Sequence, residues 1–289
     1  MFDVLFFLHL IIVVCGELVE VTYLIFLTKQ FLKKRSDLQQ AYYYVLYISY
    51  LMNAIQSIPR FLMRTIGPVY GNYVVGVCQV IMWYYYYIPG ICECMLSLNR
   101  CTGIAFPVIH AKMWHGTPLK FLIALIPCFP FIVSGYTLFN FYCRMWPFMI
   151  QTCFAYTDVY VLSVIFINIS LTIIALLLII FGTWWSQKLQ ARNTAIAKLE
   201  RKMIIYTTIS SSLLVLRYTF SLLSYYNNKH AYVLDGLGTA MYYIQHYAPL
   251  FLLPFLNIIY RQELFKFLGI RMNPANIVAL VSTKTIIGD

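Results

Sequence analysis

Several ionisable side chains lie inside long apolar stretches of this chain, where such groups are costly and usually face the protein interior. They are Glu17, Glu20, Glu93, Arg217 and His246. Glu17 and His246 fall near the middle of their stretches and could pair if those stretches are neighbours. Three roles are open to the set: a hydrogen-bonded network that locks the fold, contact with a ligand, or proton relay. Direct ligand contact best fits Arg217, because of its depth. The sequence predicts a buried polar network that includes Glu17, Glu93 and His246.

Aromatic residues make up 18% of the chain and include 25 tyrosines. In the run from Trp83 to Tyr87, helical spacing puts Trp83, Tyr84 and Tyr87 on one face, while the two tyrosines between them point elsewhere. Tyrosines on other stretches lie at similar depth. We predict a small-molecule pocket that contains Trp83, Tyr84, Tyr87, Arg217, Tyr218 and Tyr243. An aromatic belt at the membrane interface, or ordinary packing, is the alternative.

Catalytic motifs are missing from the sequence. It has no His-Glu-x-x-His, no Gly-Lys-Ser loop and no Gly-x-Ser-x-Gly. His110 and His115 are five residues apart with no third ligand nearby, and Asp158 has no aspartate partner for an intramembrane protease. We therefore expect no enzyme activity, no metal site and no cofactor.

Seven apolar stretches are the elements that must position these side chains, since about 20 residues of helix cross a bilayer. They fall near residues 4–28, 41–63, 74–98, 119–139, 159–183, 203–224 and 237–260. Mean hydropathy is +0.74 and only 11% of residues are charged, against about 25% in soluble domains. Pro89 and Gly90 should loosen the third stretch halfway, because proline removes a backbone hydrogen bond. We predict one domain over residues 1–289.

Lysine and arginine crowd into every second gap between the stretches. These residues are Lys29, Lys33, Lys34, Arg35, Arg100, Lys112, Lys188, Arg192, Lys198, Arg201, Lys202, Arg261, Lys266 and Arg271. The other side has only Arg60, Arg64, Arg144 and Lys229. Because basic loops stay in the cytoplasm, the amino terminus is predicted outside and the carboxyl terminus inside, as in a receptor. The same bias, helped by anionic lipid, explains the net charge of +11 without a nucleic-acid partner.

Cysteines indicate a disulfide at the outer side. Cys78 lies at the outer end of span three, and Cys143 and Cys153 lie between spans four and five. A bridge from Cys78 to Cys143 or Cys153 would fasten that loop over the bundle, and a Cys143–Cys153 bridge is the alternative. The other cysteines are expected to be reduced. The sequon at Asn168 falls within span five, beyond the reach of glycosylation.

The sharpest motif is the string SLNRCTGIAFPVIHAKMW at residues 97–114. It resembles the signature of nematode serpentine chemoreceptors of the class gamma and class V group, and the likeness in length, spans and orientation covers essentially the whole chain. The resemblance implies a G-protein-coupled chemosensory receptor of the plasma membrane, in the cilia of sensory neurons. Its implied partners are a small-molecule ligand, a heterotrimeric G protein and membrane lipid.

The resemblance also implies roles for single residues. Arg100 matches the arginine that ends span three in the wider receptor superfamily, and Asn99 stands where an acidic residue usually precedes it. Asn257 and Tyr260 are similar to parts of the Asn-Pro-x-x-Tyr switch, with those parts separated. Asn53 loosely echoes a polar position of rhodopsin-like receptors and is added to the predicted polar network. Span six has no proline, so the activation hinge of those receptors is not carried over.

Two basic segments could serve a cytoplasmic partner. Residues 261–268 pair basic with apolar side chains, which predicts a short amphipathic helix on the inner membrane surface after span seven. Arg201 and Lys202, with Lys198, extend the base of span six, where an acidic or helical partner could dock, although simple topology signalling explains them equally well.

We predict an all-α membrane protein, a seven-transmembrane helix bundle that binds a small extracellular chemical and signals to a G protein. A small transporter or channel that uses Glu17, Glu93, Arg217 and His246 as its path is the first rival. A structural or lipid-binding membrane protein is the second. An inverted ligand-gated channel is disfavoured, since the charge bias points the other way.

Overall fold

The computed structural model describes residues 2–33, 36, 38–66, 71–146, 150–188, 194–227 and 229–270, and it is helical over almost all of them. Lys34, Arg35, Arg192 and Arg271 lie outside the described residues, as do the side chains of Arg64, Lys188, Lys198 and Arg201. The helices are α1 Phe2–Leu32, α2 Ala41–Ile66, α3 Tyr73–Tyr85, α4 Ile88–Ala105, α5 Pro107–Met113, α6 Gly116–Ser134, α7 Phe141–Met145, α8 Phe154–Lys188, α9 Thr194–Tyr226, α10 Ala231–Leu256 and α11 Ile258–Phe267. Short 3₁₀ turns, Gly135–Asn140 and Gln151–Cys153, flank α7.

Four helical stretches within the described residues are long and apolar enough to cross a membrane. They are Ile11–Leu32, Tyr73–Ala105, Gly116–Met145 and Gln151–Trp185, which correspond to predicted spans one, three, four and five. Helices α2, α9 and α10, on predicted spans two, six and seven, have 26, 33 and 26 residues. At 1.5 Å per residue they are also long enough to cross, but they are less apolar. The chain is therefore an all-helical membrane bundle, and the count of seven stays a prediction.

The third predicted span is divided into two helices. Helix α3 ends at Tyr85 and α4 begins at Ile88, with a turn at Tyr86 and Tyr87 between them. Pro89 occupies the first turn of α4, where the missing proline N–H costs nothing. The break therefore lies just before the Pro89–Gly90 pair, where the sequence predicted a loosened helix.

The helices pack through two aromatic clusters. The larger joins α1, α2, α4, α10 and α11 around Tyr23, Tyr42 and Tyr260, and the smaller joins α3, α8 and α9 around Trp83, Tyr160 and Tyr218. Because lipid is as apolar as leucine, association between membrane helices rests on packing and interhelical hydrogen bonds. The Tyr23 hydroxyl donates across helices in this way, to the Leu250 carbonyl at 3.0 Å.

The segment between α6 and α8 is closed on itself by a disulfide. Cys143 and Cys153 are bonded, with their Cα atoms 5.3 Å apart. Cys78, for which the sequence predicted a bridge to one of these two, is instead a buried free thiol, so that prediction is corrected. The reason is local: ten residues and two short helical turns bring Cys143 and Cys153 together. Arg144 beside them is 1% exposed.

The predicted amphipathic helix is present as α11, and it starts three residues earlier than expected, at Ile258. Asn257 caps it, since its Oδ1 accepts from the Tyr260 N–H at 3.0 Å. Glu263 bonds Lys33 at 3.2 Å and Gln30 at 3.0 Å, which ties α11 to the end of α1. Burial alone would raise the pKa of Glu263, but the hydrogen bonds from Lys33 and Gln30 outweigh it and lower that pKa.

Candidate functional site

The break between α3 and α4 is filled by one side chain from α8. The Asn168 Oδ1 accepts from the Gly90 N–H at 3.0 Å, and its Nδ2 donates to the Tyr86 carbonyl at 2.9 Å. A Cβ at Gly90 would lie 2.6 Å from that Oδ1, so only glycine allows the amide this close. Asn168 is fully buried. The amide therefore satisfies backbone groups that the interrupted helix leaves open.

A cavity of about 530 Å³ lies beside this break, among α3, α8 and α9. This volume is in the range of small-molecule sites. Arg217 and Tyr218 line it from α9, together with Gln79, Met82, Tyr86, Asp158, Tyr160, Val161, Val164, Ile165, Ser221, Ser224 and Tyr225. Tyr218 also donates from its hydroxyl to the Tyr86 carbonyl at 3.2 Å. One wall residue of the cavity is thus bonded directly to the helix break.

Arg217 brings the positive charge into this cavity wall. It is 5% exposed, its Nη1 donates to Gln245 Oε1 at 3.3 Å, and its guanidinium lies 4.5 Å from the Tyr242 ring centroid. Arg60 covers the same ring at 3.5 Å. Among the described residues, the ion pairs found do not include either arginine. Tyrosine rings therefore take the place of carboxylates as partners, through cation–π contacts.

The other predicted pocket residues lie away from this cavity. The Trp83 Nε1 donates to Ser134 at 3.3 Å, and the Tyr84 hydroxyl donates to the Pro127 carbonyl at 2.7 Å, so both face α6. Tyr87 lies 3.3 Å from Ser163 on α8. Tyr243 packs on Tyr242 within α10. Of the six residues predicted, the structure brings Arg217 and Tyr218 to the cavity and uses the rest in contacts between and within helices.

The predicted polar network is gathered around a smaller cavity, of about 30 Å³, in the middle of the bundle. Asn53, Glu93 and His246 all line it. Glu93 accepts hydrogen bonds from Ser210 and Ser211, which joins α4 to α9. The Tyr85 hydroxyl donates to Asn53 Oδ1, which joins α3 to α2. This volume is enough for about one water molecule.

Glu17 sits with His246, as the sequence predicted, but Glu20 is the closer partner. His246 Nε2 lies 3.3 Å from Glu20 Oε2, between α10 and α1. The ligand atoms of Glu17, Glu20 and His246 all lie within 4.8 Å of one another. The helices come close here, since a Cβ at Gly16 would meet the Tyr247 ring at 2.1 Å.

At the opposite end of the bundle, the residues predicted for coupling are packed against tyrosines. The Arg100 guanidinium lies 4.0 Å from the Tyr42 ring centroid, and Asn99 is buried. Asn257 Nδ2 donates to the Tyr43 hydroxyl at 2.7 Å. Tyr260 is fully buried, stacks on Tyr43 and contacts the Tyr23 ring edge-on. Lys202 is exposed, and the side chain of Arg201 lies outside the described residues.

Three residues of the 97–114 segment form one hydrogen-bonded cluster. Trp114 Nε1 donates to Thr102 Oγ1 at 2.9 Å, and His110 Nδ1 lies 3.1 Å from the same oxygen. Pro107 opens α5 in the first turn, where proline is tolerated. Burial lowers the pKa of His110, and the nearby Arg100 lowers it further. The cluster holds α5 against the end of α4.

The sequence prediction leaves out Asn168 and places Tyr86 off the pocket face, while Tyr160 is one of the tyrosines that it puts at similar depth on other stretches. A polar amide deep inside an apolar span, as at Asn168, is itself a signal of interhelical bonding. Tyr86 reaches the cavity from the turn between α3 and α4, and Tyr160 reaches it from α8. A spacing rule for a continuous helix does not contain the interruption at Tyr86.

The described residues form a helical bundle with a cavity of small-molecule size at one end and, at the other, the buried Asn99 beside the half-buried Arg100, an arrangement that would suit a membrane receptor. The family model of the Srg family chemoreceptors matches residues 9–248. That match covers most of the chain, and the chain belongs to the Srg family of chemoreceptors, a receptor family rather than an enzyme family. No curated protein matches the chain at a significant level.

Proposed function

We propose that this chain is a seven-span chemosensory receptor that binds a small extracellular chemical in the 530 Å³ cavity and signals to a heterotrimeric G protein. The observation that carries the proposal is the bond from Tyr218, on the cavity wall, to the Tyr86 carbonyl at the helix break. A ligand that moves Tyr218 acts on the junction between α3, which lines the cavity, and α4, which ends near Arg100.

Ligand recognition centres on Arg217 and Tyr218, with Tyr86 and Tyr160 completing the wall. Arg217 offers donors to an acceptor group on the ligand, and the rings offer apolar faces. A ligand shifts the bundle only if it binds one arrangement better than another. Trp83, Tyr84, Tyr87 and Tyr243 act in this proposal as the packed surround of the cavity.

Coupling centres on the opposite end of the bundle. Release of Arg100 from the Tyr42 ring would expose a positive charge where a G protein docks. Lys202 and Arg201, at the base of α9, extend that basic surface. Asn99, Asn257 and Tyr260 hold the end of α4 and the start of α11 in the resting arrangement, and membrane lipid contacts the outer faces of both.

The test is guanine-nucleotide exchange on purified G proteins by membranes that carry the intact chain or Arg100→Ala at matched surface expression. A pool of small volatile and soluble compounds is added to each. We expect exchange that responds to the pool in the intact chain and is lost in Arg100→Ala. Equal exchange from both would contradict the proposal.

The rival function is transport, and the polar cavity lined by Asn53, Glu93 and His246 is the observation that favours it. Its volume of about 30 Å³ is enough for about one water molecule. Ion or solute flux that changes in Glu93→Gln, with no nucleotide exchange, would establish transport instead.

The remaining elements of the proposal are topological. We propose an amino terminus outside and a carboxyl terminus in the cytoplasm, in the plasma membrane and, by family resemblance, in sensory cilia. Epitope tags at the two ends of the chain, probed on intact and permeabilised cells, test the orientation. Staining of the carboxyl-terminal tag on intact cells would overturn it.

A further inference from the structure

Three metal-ligating side chains meet between α1 and α10, away from the larger cavity. They are Glu17, Glu20 and His246, whose ligand atoms all lie within 4.8 Å of one another. Glu20 is fully buried and neither of its carboxylate oxygens has a hydrogen bond. His246 Nε2 lies 3.3 Å from Glu20 Oε2, but the two groups do not have the geometry of a hydrogen bond.

The cluster has more acidic than basic groups. If both carboxyl groups were ionised, they would face one imidazole with at most one positive charge, and a negative charge would be left over even with His246 protonated. An uncompensated charge buried away from water is expensive. Bound cations, either extra protons or a metal ion, would remove that cost. Glu17 and Glu20 are three residues apart on one helix and so face the same way.

The donor set distinguishes among metal ions. Calcium and magnesium take oxygen ligands, whereas two carboxylates with an imidazole nitrogen match zinc, which binds both at roughly 2.0–2.2 Å. Three protein ligands leave a fourth tetrahedral position for water. His246 also lines the 30 Å³ polar cavity, which has room for that water.

We propose that Glu17, Glu20 and His246 form a zinc site that fastens α1 to α10. Small side-chain rotations would bring the three ligand atoms to zinc distance. Because the site joins two helices, zinc binding stabilises the bundle arrangement in which they are close. This inference is independent of the chemosensory ligand and of the G protein.

The experiment uses the purified full-length chain in lipid nanodiscs, stripped of metal with a chelator and then titrated with zinc. Bound zinc is measured by elemental analysis after dialysis, and thermal unfolding is recorded with and without zinc. We expect one zinc per chain and a raised melting temperature. Glu20→Gln and His246→Gln should weaken zinc binding by roughly 10- to 100-fold or more, by analogy with the effect of losing metal-site contacts. The matched control His115→Gln removes an exposed loop histidine and should bind zinc as the intact chain does.

If a variant fails to fold, the absorption spectrum of bound cobalt shows whether the metal is held by this site or by cysteines. Cobalt in the intact chain should give the visible absorption of a tetrahedral site with oxygen and nitrogen ligands. Intense thiolate charge-transfer bands would assign the metal to cysteines and overturn the proposal. So would absence of stoichiometric zinc, which would leave a cluster neutralised by protons, or equal loss of zinc in His115→Gln.

Discussion

The two ends of the bundle use the same pair of residue types and differ in the space around them. At one end Arg217 lies between tyrosine rings on the wall of a 530 Å³ cavity. At the other end Arg100 lies on Tyr42, and the neighbouring Trp114 and Tyr260 are almost fully buried. An arginine–tyrosine contact therefore does not by itself make a binding site. The empty volume beside Arg217 distinguishes an end with room for a ligand from an end that is filled by packed side chains.

The largest expected effect comes from removing the Asn168 side chain, which bridges the break between α3 and α4. Asn168→Ala removes three hydrogen bonds and leaves the Gly90 N–H unsatisfied, while the Tyr86 carbonyl keeps the bond from Tyr218. We expect a loss of about 3 kcal/mol of stability, since an unsatisfied buried donor costs about 1–3 kcal/mol and each other lost bond about 1 kcal/mol, and loss of coupling between cavity and Arg100. Thermal unfolding and nucleotide exchange measure the two effects.

Ser163→Ala is the matched control, because it removes a single 3.3 Å contact to Tyr87 from the same helix. It should cost about 1 kcal/mol or less. Equal effects of the two variants would mean that the break needs no amide from α8.

Crowding the same junction should have the next largest effect. Gly90→Ala would put a Cβ 2.6 Å from Asn168 Oδ1 and 3.3 Å from its Cα. Overpacking of this kind costs about 1–3 kcal/mol. In Gly103→Ala, on the same helix, the nearest atom is His110 at 3.5 Å, an ordinary contact. That control should be neutral or stabilising, because alanine favours a helix over glycine. A melting temperature lowered equally in both variants would contradict the close approach at Gly90.

Arg217→Met tests whether the arginine on the cavity wall takes part in ligand binding. We expect the concentration of ligand needed for half-maximal exchange to rise about tenfold or more, which is about 1.4 kcal/mol. Stability should be unchanged or raised, since a buried charge without a carboxylate partner is removed. Dose–response curves and thermal unfolding test both parts.

Arg60→Met is the comparison variant, because Arg60 contacts the same Tyr242 ring without lining the cavity. A similar stability change with an unaltered dose–response curve is expected. Equal loss of ligand sensitivity in both variants would place recognition elsewhere.

The contact between Arg100 and the Tyr42 ring is tested by Tyr42→Leu, with Tyr42→Phe as the variant that keeps the aromatic ring. Loss of the contact with Arg100 should cost about 1 kcal/mol and raise nucleotide exchange without ligand, because Arg100 is released. Tyr42→Phe should behave nearly as the intact chain. If the leucine and phenylalanine variants give the same exchange, the ring does not restrain Arg100.

The smallest effect is expected from pH. The pKa of His110 is below its ordinary value of 6.5 because of burial and the nearby Arg100. The neutral imidazole is favoured in the folded protein, so the packing of α5 is complete above pH 6.5 and weakens as pH falls below it. The free energy of unfolding is therefore expected to fall as the pH is lowered from 7 to 5.5. Thermal unfolding of the intact chain and of His110→Gln measures it, and the same pH dependence in both would exclude His110 as the cause.

Much of the fold follows from the sequence because it depends on local patterns. Apolar length predicts the long helices, Pro89 predicts the interruption of span three, and the basic amphipathic pattern predicts α11. The 97–114 segment predicts the family. Three of its residues, Thr102, His110 and Trp114, form a hydrogen-bonded cluster, which gives part of the segment a structural role.

What could not be predicted depends on contacts across the bundle. The bond of Asn168 to Gly90 spans 78 residues, and the choice of Glu20 over Glu17 as the nearer partner of His246 depends on how α1 is rotated. The sequence left the Cys143–Cys153 pairing open as an alternative, and the choice depends on α7 and the short turn at Gln151–Cys153, which bring the two cysteines together. Helical spacing put Trp83, Tyr84 and Tyr87 on one face, but Trp83 and Tyr84 bond α6 and Tyr87 lies against Ser163 of α8, because the helix is interrupted at Tyr86 and Tyr87.

The interruption at Tyr86 and Tyr87 also has a mechanical consequence. A continuous α-helix is torsionally stiff, so turning one end turns the other by nearly the same angle. Two helices joined by a two-residue turn do not share this stiffness. Asn168 bonds both sides of this turn from α8, so α8 is a second mechanical connection between α3 and α4 beside the two-residue turn.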